Sequence, residues 1–168
     1  DKGDNSDYYT EKFNKQNEEE EESMGLNLPE AVKTCFKKYF DFKGRASRSE
    51  YWYFTLFILI GYAIGITLGL MAPVFFIING VFFLLVIIPW VAVAARRLHD
   101  INKSGWFQII PLPAGILEFI FAEYRQETLE IIFLIIGLIL YVYLIVLLCT
   151  AGDSKQNRFG KNPLKTKK

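Results

Sequence analysis

Forty-five consecutive residues, Tyr51 to Ala95, carry no charge. As one straight helix they would extend about 67 Å at about 1.5 Å per residue, while the hydrocarbon of a bilayer is about 30 Å thick. The chain is therefore expected to cross a membrane, turn back at Met71-Ala72-Pro73 and cross again, with spans at about 51–70 and 74–95. This run alone rules out an ordinary soluble domain.

Composition by itself would mislead, because a net charge of +1 over 168 residues with 52% hydrophobic content suits many soluble proteins. The decisive point is that the charges are segregated into the chain ends and two loops. The first of these loops, Arg96 to Trp106, carries the single histidine. After it comes a weaker apolar segment, about 106–121, interrupted by Pro111, Pro113 and Gly115, and then a clean one at about 129–150. The turn between them, Ala122 to Thr128, has Glu123 and Glu127 against one Arg125, whereas the tail carries Lys155, Arg158, Lys161, Lys165, Lys167 and Lys168. Basic segments stay in the cytoplasm. Four crossings satisfy that rule and three would export the tail. The expected fold is all-α, a polytopic membrane bundle of four transmembrane helices with both termini cytoplasmic.

The segment ahead of the spans divides in two. Residues 1–28 read as a disordered acidic leader, since the Glu18 to Glu22 run repels itself and lacks apolar partners. It reads as an extension ahead of Met24, with no signal-peptide pattern. The membrane domain is expected over 29–163, followed by a basic tail at 164–168. Ala31, Val32, Cys35, Phe36, Tyr39 and Phe40 share one helix face, opposite Lys33, Lys37 and Lys38. That pattern predicts a short amphipathic helix at the interface, aromatics in the acyl boundary and lysines on headgroups; a groove on a partner is the alternative. Ser47 and Glu50 have capping-box spacing for the first span. Gly61, Gly65 and Gly69 form a smooth ridge for helix packing, within the chain or between copies. Asn79 is expected to hydrogen-bond across helices, and Pro89 to disturb the second span.

Three polar strings stand out: Phe40-Asp41-Phe42-Lys43-Gly44-Arg45-Ala46-Ser47-Arg48-Ser49-Glu50-Tyr51-Trp52; Arg96-Arg97-Leu98-His99-Asp100 with Ser104-Gly105-Trp106; and Gly152-Asp153 with Asn157-Arg158-Phe159-Gly160. In type, order and spacing, from about Ala31 to Pro163, they resemble the bacterial inner-membrane family called domain of unknown function 805, with its YhaH-like and YhaI-like members. The resemblance implies a small multi-span protein of the bacterial cytoplasmic membrane and supplies no activity.

With four crossings all three strings fall on the cytoplasmic side, which gathers Arg45, Arg48, Glu50, Arg96, Arg97, His99, Asp100, Lys103, Asp153 and Arg158 on one face. Two readings follow. The carboxylates Glu50, Asp100 and Asp153 pair with the arginines and clamp helix ends, or surplus guanidinium groups hold an anion such as a lipid phosphate. No catalytic residue, metal or cofactor is expected: His99 has no further ligand set, and Ser-His-Asp, HExxH and phosphate-loop patterns are absent. Cys35 and Cys149 have neither CxxC spacing nor a paired histidine. The expected partners are the bilayer, anionic lipids, and a membrane-protein partner or second copy, with no nucleic acid. A transporter or channel subunit and a lipid-modifying enzyme using His99 and Asp100 are the competing classes.

Overall fold

The computed structural model describes residues 8–14, 16, 25–124 and 126–165. Among the described residues, five principal helices follow one another: α1 (Leu28–Lys37), α2 (Arg48–Met71), α3 (Val74–Asp100), α4 (Leu112–Glu123) and α5 (Glu127–Cys149). A 3-10 turn, Gly105–Ile109, leads into α4, and another, Pro163–Lys165, closes the described chain. Among the described residues, four segments are long and apolar enough to cross a membrane: α2, α3, Gly105–Glu123 and α5. The polytopic helical fold expected from the sequence is the one observed.

Most of the acidic leader lies outside the described residues. Residues 8–14 are helical, not structureless as expected, with the Tyr8 and Tyr9 rings 5.7 Å apart. Residues 25–27 also depart from the expectation, because they belong to the folded unit. The Leu26 N–H donates to Ser49 Oγ at 3.0 Å, and Asn27 with Glu30 forms a complete capping box on α1. Pro29 falls in the first turn, where its missing N–H costs nothing.

The apolar stripe of α1 turns inward. Ala31 and Cys35 are fully buried, and Phe36 meets Phe54 and Phe57 of α2 edge-on at 5.6 and 6.2 Å. The helix therefore docks on the chain's own α2, while Phe40 stays exposed and Lys33 and Lys37 face outward. The ten-residue helix thus buries its stripe against the span that follows it.

The turn at Ala72-Pro73 folds α2 back on α3, and the glycine ridge is the contact. A Cβ added at Gly61, Gly65 or Gly69 would lie within 2.5, 2.6 and 2.7 Å of Phe82, Asn79 and Phe76 respectively. Packing within the chain consumes all three glycines. Asn79 does not make the expected interhelical hydrogen bond; its amide wedges against Gly65 and its Oδ1 has no partner among the described residues. Pro89 has a traceable effect. A proline cannot donate to the carbonyl four residues earlier. That carbonyl belongs to Leu85, and Tyr39 Oη donates to it at 2.9 Å.

Helix α3 runs past the expected boundary at Ala95. Its 27 residues span about 40 Å, so the last turns project beyond the hydrocarbon. The Arg96 to Asp100 string is thus helical, not loop. Arg and Leu are good helix formers, and cations suit a helix C-terminus. The helix ends in a Schellman motif: Lys103 N donates to Leu98 O, Asn102 N donates to His99 O, and Asn102 sits at φ 56°. The second hairpin pairs α4 with α5, the Gly105–Ile109 turn packs on α3, and α3 and α5 touch each other sparsely. Buried residues crowd one end, where Cys35, Ala46, Tyr51, Phe54, Val93, Leu98 and Leu148 join one core cluster. The outward faces, such as Leu70 and Leu84, are exposed as lipid-facing surfaces must be.

Candidate functional site

The buried end is built from three arginines, and each captures backbone carbonyls that a helix or loop end leaves unpaired. Arg96 and Arg97 are fully buried and Arg45 nearly so. Arg96, from the last turns of α3, donates through Nη1 to Lys38 O at 3.3 Å and to Asp41 O, just beyond the end of α1, and through Nη2 to Glu50 Oε1 at 2.9 Å. Arg97 points the other way. Its Nε donates to Leu148 O at 3.0 Å and its Nη2 to Thr150 O, which lie in the last turn and cap of α5. Helix ends leave four carbonyls without intrahelical partners, and a cation there also meets the negative end of the helix dipole. Adjacent residues of one helix therefore cap two others.

Arg45 supplies the third link. Its Nε donates to Asp100 Oδ1 at 2.8 Å, Nη1 to Lys155 O at 2.7 Å and Gly160 O at 3.3 Å, and Nη2 to Asp153 O. Asp100 is shared, accepting from Arg45 on one oxygen and from Arg97 Nη1 on the other. Three guanidinium groups face two carboxylates, Glu50 and Asp100, and the excess positive charge is solvated by carbonyl oxygens. Buried ion pairs are stable only when their remaining donors are satisfied in this way. One donor is left over: Arg96 Nε has no partner among the described residues.

The tail string folds onto this lattice. Asp153 N donates to Asp100 O at 2.9 Å, and Asn157 Nδ2 donates to His99 O at 2.9 Å and to Asp153 Oδ2 at 3.0 Å. An Asn157–Gly160 bridge closes it as a folded loop, as its turn-rich sequence predicts. Gly152 is there because nothing larger fits: a Cβ would come within 1.8 Å of Asp100 Oδ2. His99 stacks on Phe159, ring centroids 3.9 Å apart, and its Nδ1 is 3.0 Å from Gly44 O.

Several sequence expectations change in detail. Asp153 does not pair with an arginine side chain; its carboxylate takes Asn157 and only its carbonyl takes Arg45. Ser47 accepts from Glu50 N at 3.1 Å, but the Glu50 carboxylate goes to Arg96 and not back to the cap, so the box is half made. Arg48, Lys103 and Arg158 lie outside the lattice and are exposed or rim groups. Lys103 sits 5.6 Å over the Phe107 ring, and Arg158 sits 4.7 Å over Phe159 while donating to Asn102 O at 3.2 Å. The sequence names no bonding partner for Asn157, Gly152 or Tyr39. Each is legible only once its partner, far away in the chain, is known.

These features define a class: a small multi-pass helical membrane protein whose spans are tied together at one end by buried arginines. The chain belongs to the family described as protein of unknown function (DUF805), which matches residues 39–161. It is 32% identical over 135 residues to inner membrane protein YhaH of Escherichia coli K12, covering 76% of this chain and 90% of that one. To inner membrane protein YhaI of the same organism it is 33% identical over 135 residues, covering 77% and 92%. No solved structure matches. With four apolar segments of spanning length, the chain is a multi-pass protein of a bacterial inner membrane in contact with its lipid.

Proposed function

We propose that the protein is a non-enzymatic membrane scaffold, with its arginine lattice on the cytoplasmic side and a rim of free cations that gathers anionic headgroups or an acidic partner. The observation that carries this reading is how the guanidinium donors are used. Those of Arg45 and Arg97 go to protein oxygens, and so do the terminal nitrogens of Arg96. That favours a structural clamp over a buried anion site. The exposed cations that can meet lipid phosphates then include Arg48 and Lys103, with Lys33 and Lys37 of α1. Exposed cations near a bilayer attract anionic headgroups by about 1 kcal/mol each. The basic tail supports the cytoplasmic orientation of both termini.

The competing classes draw no support from the site. His99 and Asp100 are adjacent in sequence, yet the Asp100 carboxylate is committed to arginines and His99 Nδ1 to Gly44 O, so no His-Asp relay forms. Thr67 bonds its own helix at Ala63 O, Thr55 accepts from Trp90 Nε1 at 3.2 Å, and Asn79 is a packing wedge, so none is arranged as a transport path. Native mass spectrometry of protein released from phosphatidylglycerol nanodiscs tests the proposal. The triple variant Arg48→Ala/Lys103→Ala/Lys37→Ala should keep its fold and retain fewer anionic lipids. Equal retention would refute the headgroup role.

A further inference from the structure

Between the two hairpins lies a cavity of about 990 Å³, walled by α3, the Gly105–Ile109 turn and α5. Its volume is at the upper end for small-molecule sites, which are about 300–1,000 Å³. Its walls are largely aliphatic and aromatic, Trp90, Leu144 and Ile145 among them. Among the described residues, no charged side chain lines it. Its polar lining residues are His99 and Ser104, next to the lattice, with Gln108, Tyr51 and Tyr141.

The histidine fixes what this end can bind. A carbonyl oxygen only accepts, so Nδ1 facing Gly44 O at 3.0 Å carries the proton, and in the neutral ring Nε2 is an acceptor. That nitrogen lies beside Gly105, a lining residue, where a Cβ would be 3.4 Å from it. A matching ligand must present a donor to it. The Ser104 oxygen takes Trp106 N at 3.4 Å and keeps its own O–H to donate. One hydroxyl, both donor and acceptor, satisfies the pair. A phosphate would meet an acceptor nitrogen and would be desolvated with no counter-charge in the wall. Lys103 is held over Phe107, and neither residue lines the cavity.

We propose that this cavity binds one long-chain lipid with an uncharged, hydroxyl-bearing headgroup, its chain between α3 and α5 and its hydroxyl at His99 Nε2 and Ser104. Diacylglycerols and polyprenols share that chemistry. The full chain is reconstituted in phosphatidylcholine nanodiscs doped with a diacylglycerol, with a polyprenol, or with phosphatidic acid of the same acyl length, and bound lipid is counted by native mass spectrometry. The expected result is one hydroxyl lipid retained per chain in preference to phosphatidic acid, with the favoured arm identifying the source. Ile145→Trp, which fills the cavity from its apolar side, should abolish retention. Equal retention of phosphatidic acid, or retention unchanged by Ile145→Trp, would overturn the proposal. Should Ile145→Trp not accumulate, brominated chains give the readout in a Trp52→Phe/Trp106→Phe background, which leaves Trp90, a residue lining the cavity, as the single tryptophan. Brominated diacylglycerol or polyprenol should quench Trp90 more than brominated phosphatidic acid does, and equal quenching would overturn the proposal too.

Discussion

At Gly152 a single methyl group decides whether the tail can close over Asp100. Gly152→Ala would push a carbon against the Asp100 carboxylate that joins Arg45 to Arg97. It is expected to lower thermal stability in detergent by at least about 2 kcal/mol, the scale of an overpacked core. Tyr39→Phe removes one oxygen and leaves the Leu85 carbonyl, already deprived of a donor by Pro89, without its partner. The expected loss is about 1–3 kcal/mol, and Tyr39→Phe in a Pro89→Ala background should cost less, because the alanine N–H then returns to that carbonyl. Cys35 offers a chemical test. Burial, with Glu50 nearby, pushes its thiol from the ordinary 9.0 up to about 12. The neutral thiol is thus the form that the fold holds, so its contribution to stability is complete below pH 9 and is lost as pH rises toward 12. A membrane-permeant maleimide at pH 8 should modify the exposed Cys149 and spare Cys35 until the protein unfolds. Early modification of Cys35 would contradict its burial.

Individual elements were legible in proportion to how local their causes are. Hydrophobic run length locates the spans and the Met71-Ala72-Pro73 turn, and helical spacing of apolar residues locates the short α1, because each follows from neighbours in sequence. The sequence alone places the end of α3 at Ala95, because a run of charges there reads as loop. Its continuation depends on the length that an extended helix gains beyond the bilayer and on carbonyl partners in α1 and α5 that lie more than 50 residues away. Asn27 was missed as a cap although Glu30 stands at the right spacing, since the acidic leader drew it into the disordered stretch. The glycine ridge was visible, while its partner helix was not. Gly65→Leu is expected to force Asn79 out of its seat and part α2 from α3, which should lower stability by about 1–3 kcal/mol. A melting temperature equal to that of the unaltered protein would show that the ridge is not the contact.

For the molecule as a whole, two hairpins whose long helices α3 and α5 touch sparsely are held at one end by three guanidinium groups. The grouping of the three polar strings could be read from an even number of crossings. The division of labour within it could not: Arg45, Arg96 and Arg97 are structural donors, whereas Arg48 and Lys103 remain at the rim, and composition treats all five alike. Lysine lacks the planar fork that reaches several carbonyls at once, so Arg97→Lys should destabilise the bundle despite keeping the charge. The central claim is that Arg97 fastens the end of α5 and the tail to α3. Hydrogen–deuterium exchange on Arg97→Lys in nanodiscs tests it most directly. The account predicts faster exchange over 148–160, including the Asp153 amide that donates to Asp100 O, with the α2–α3 turn at Ala72 unchanged. Exchange over 148–160 that is indistinguishable from that of the unaltered protein would contradict it.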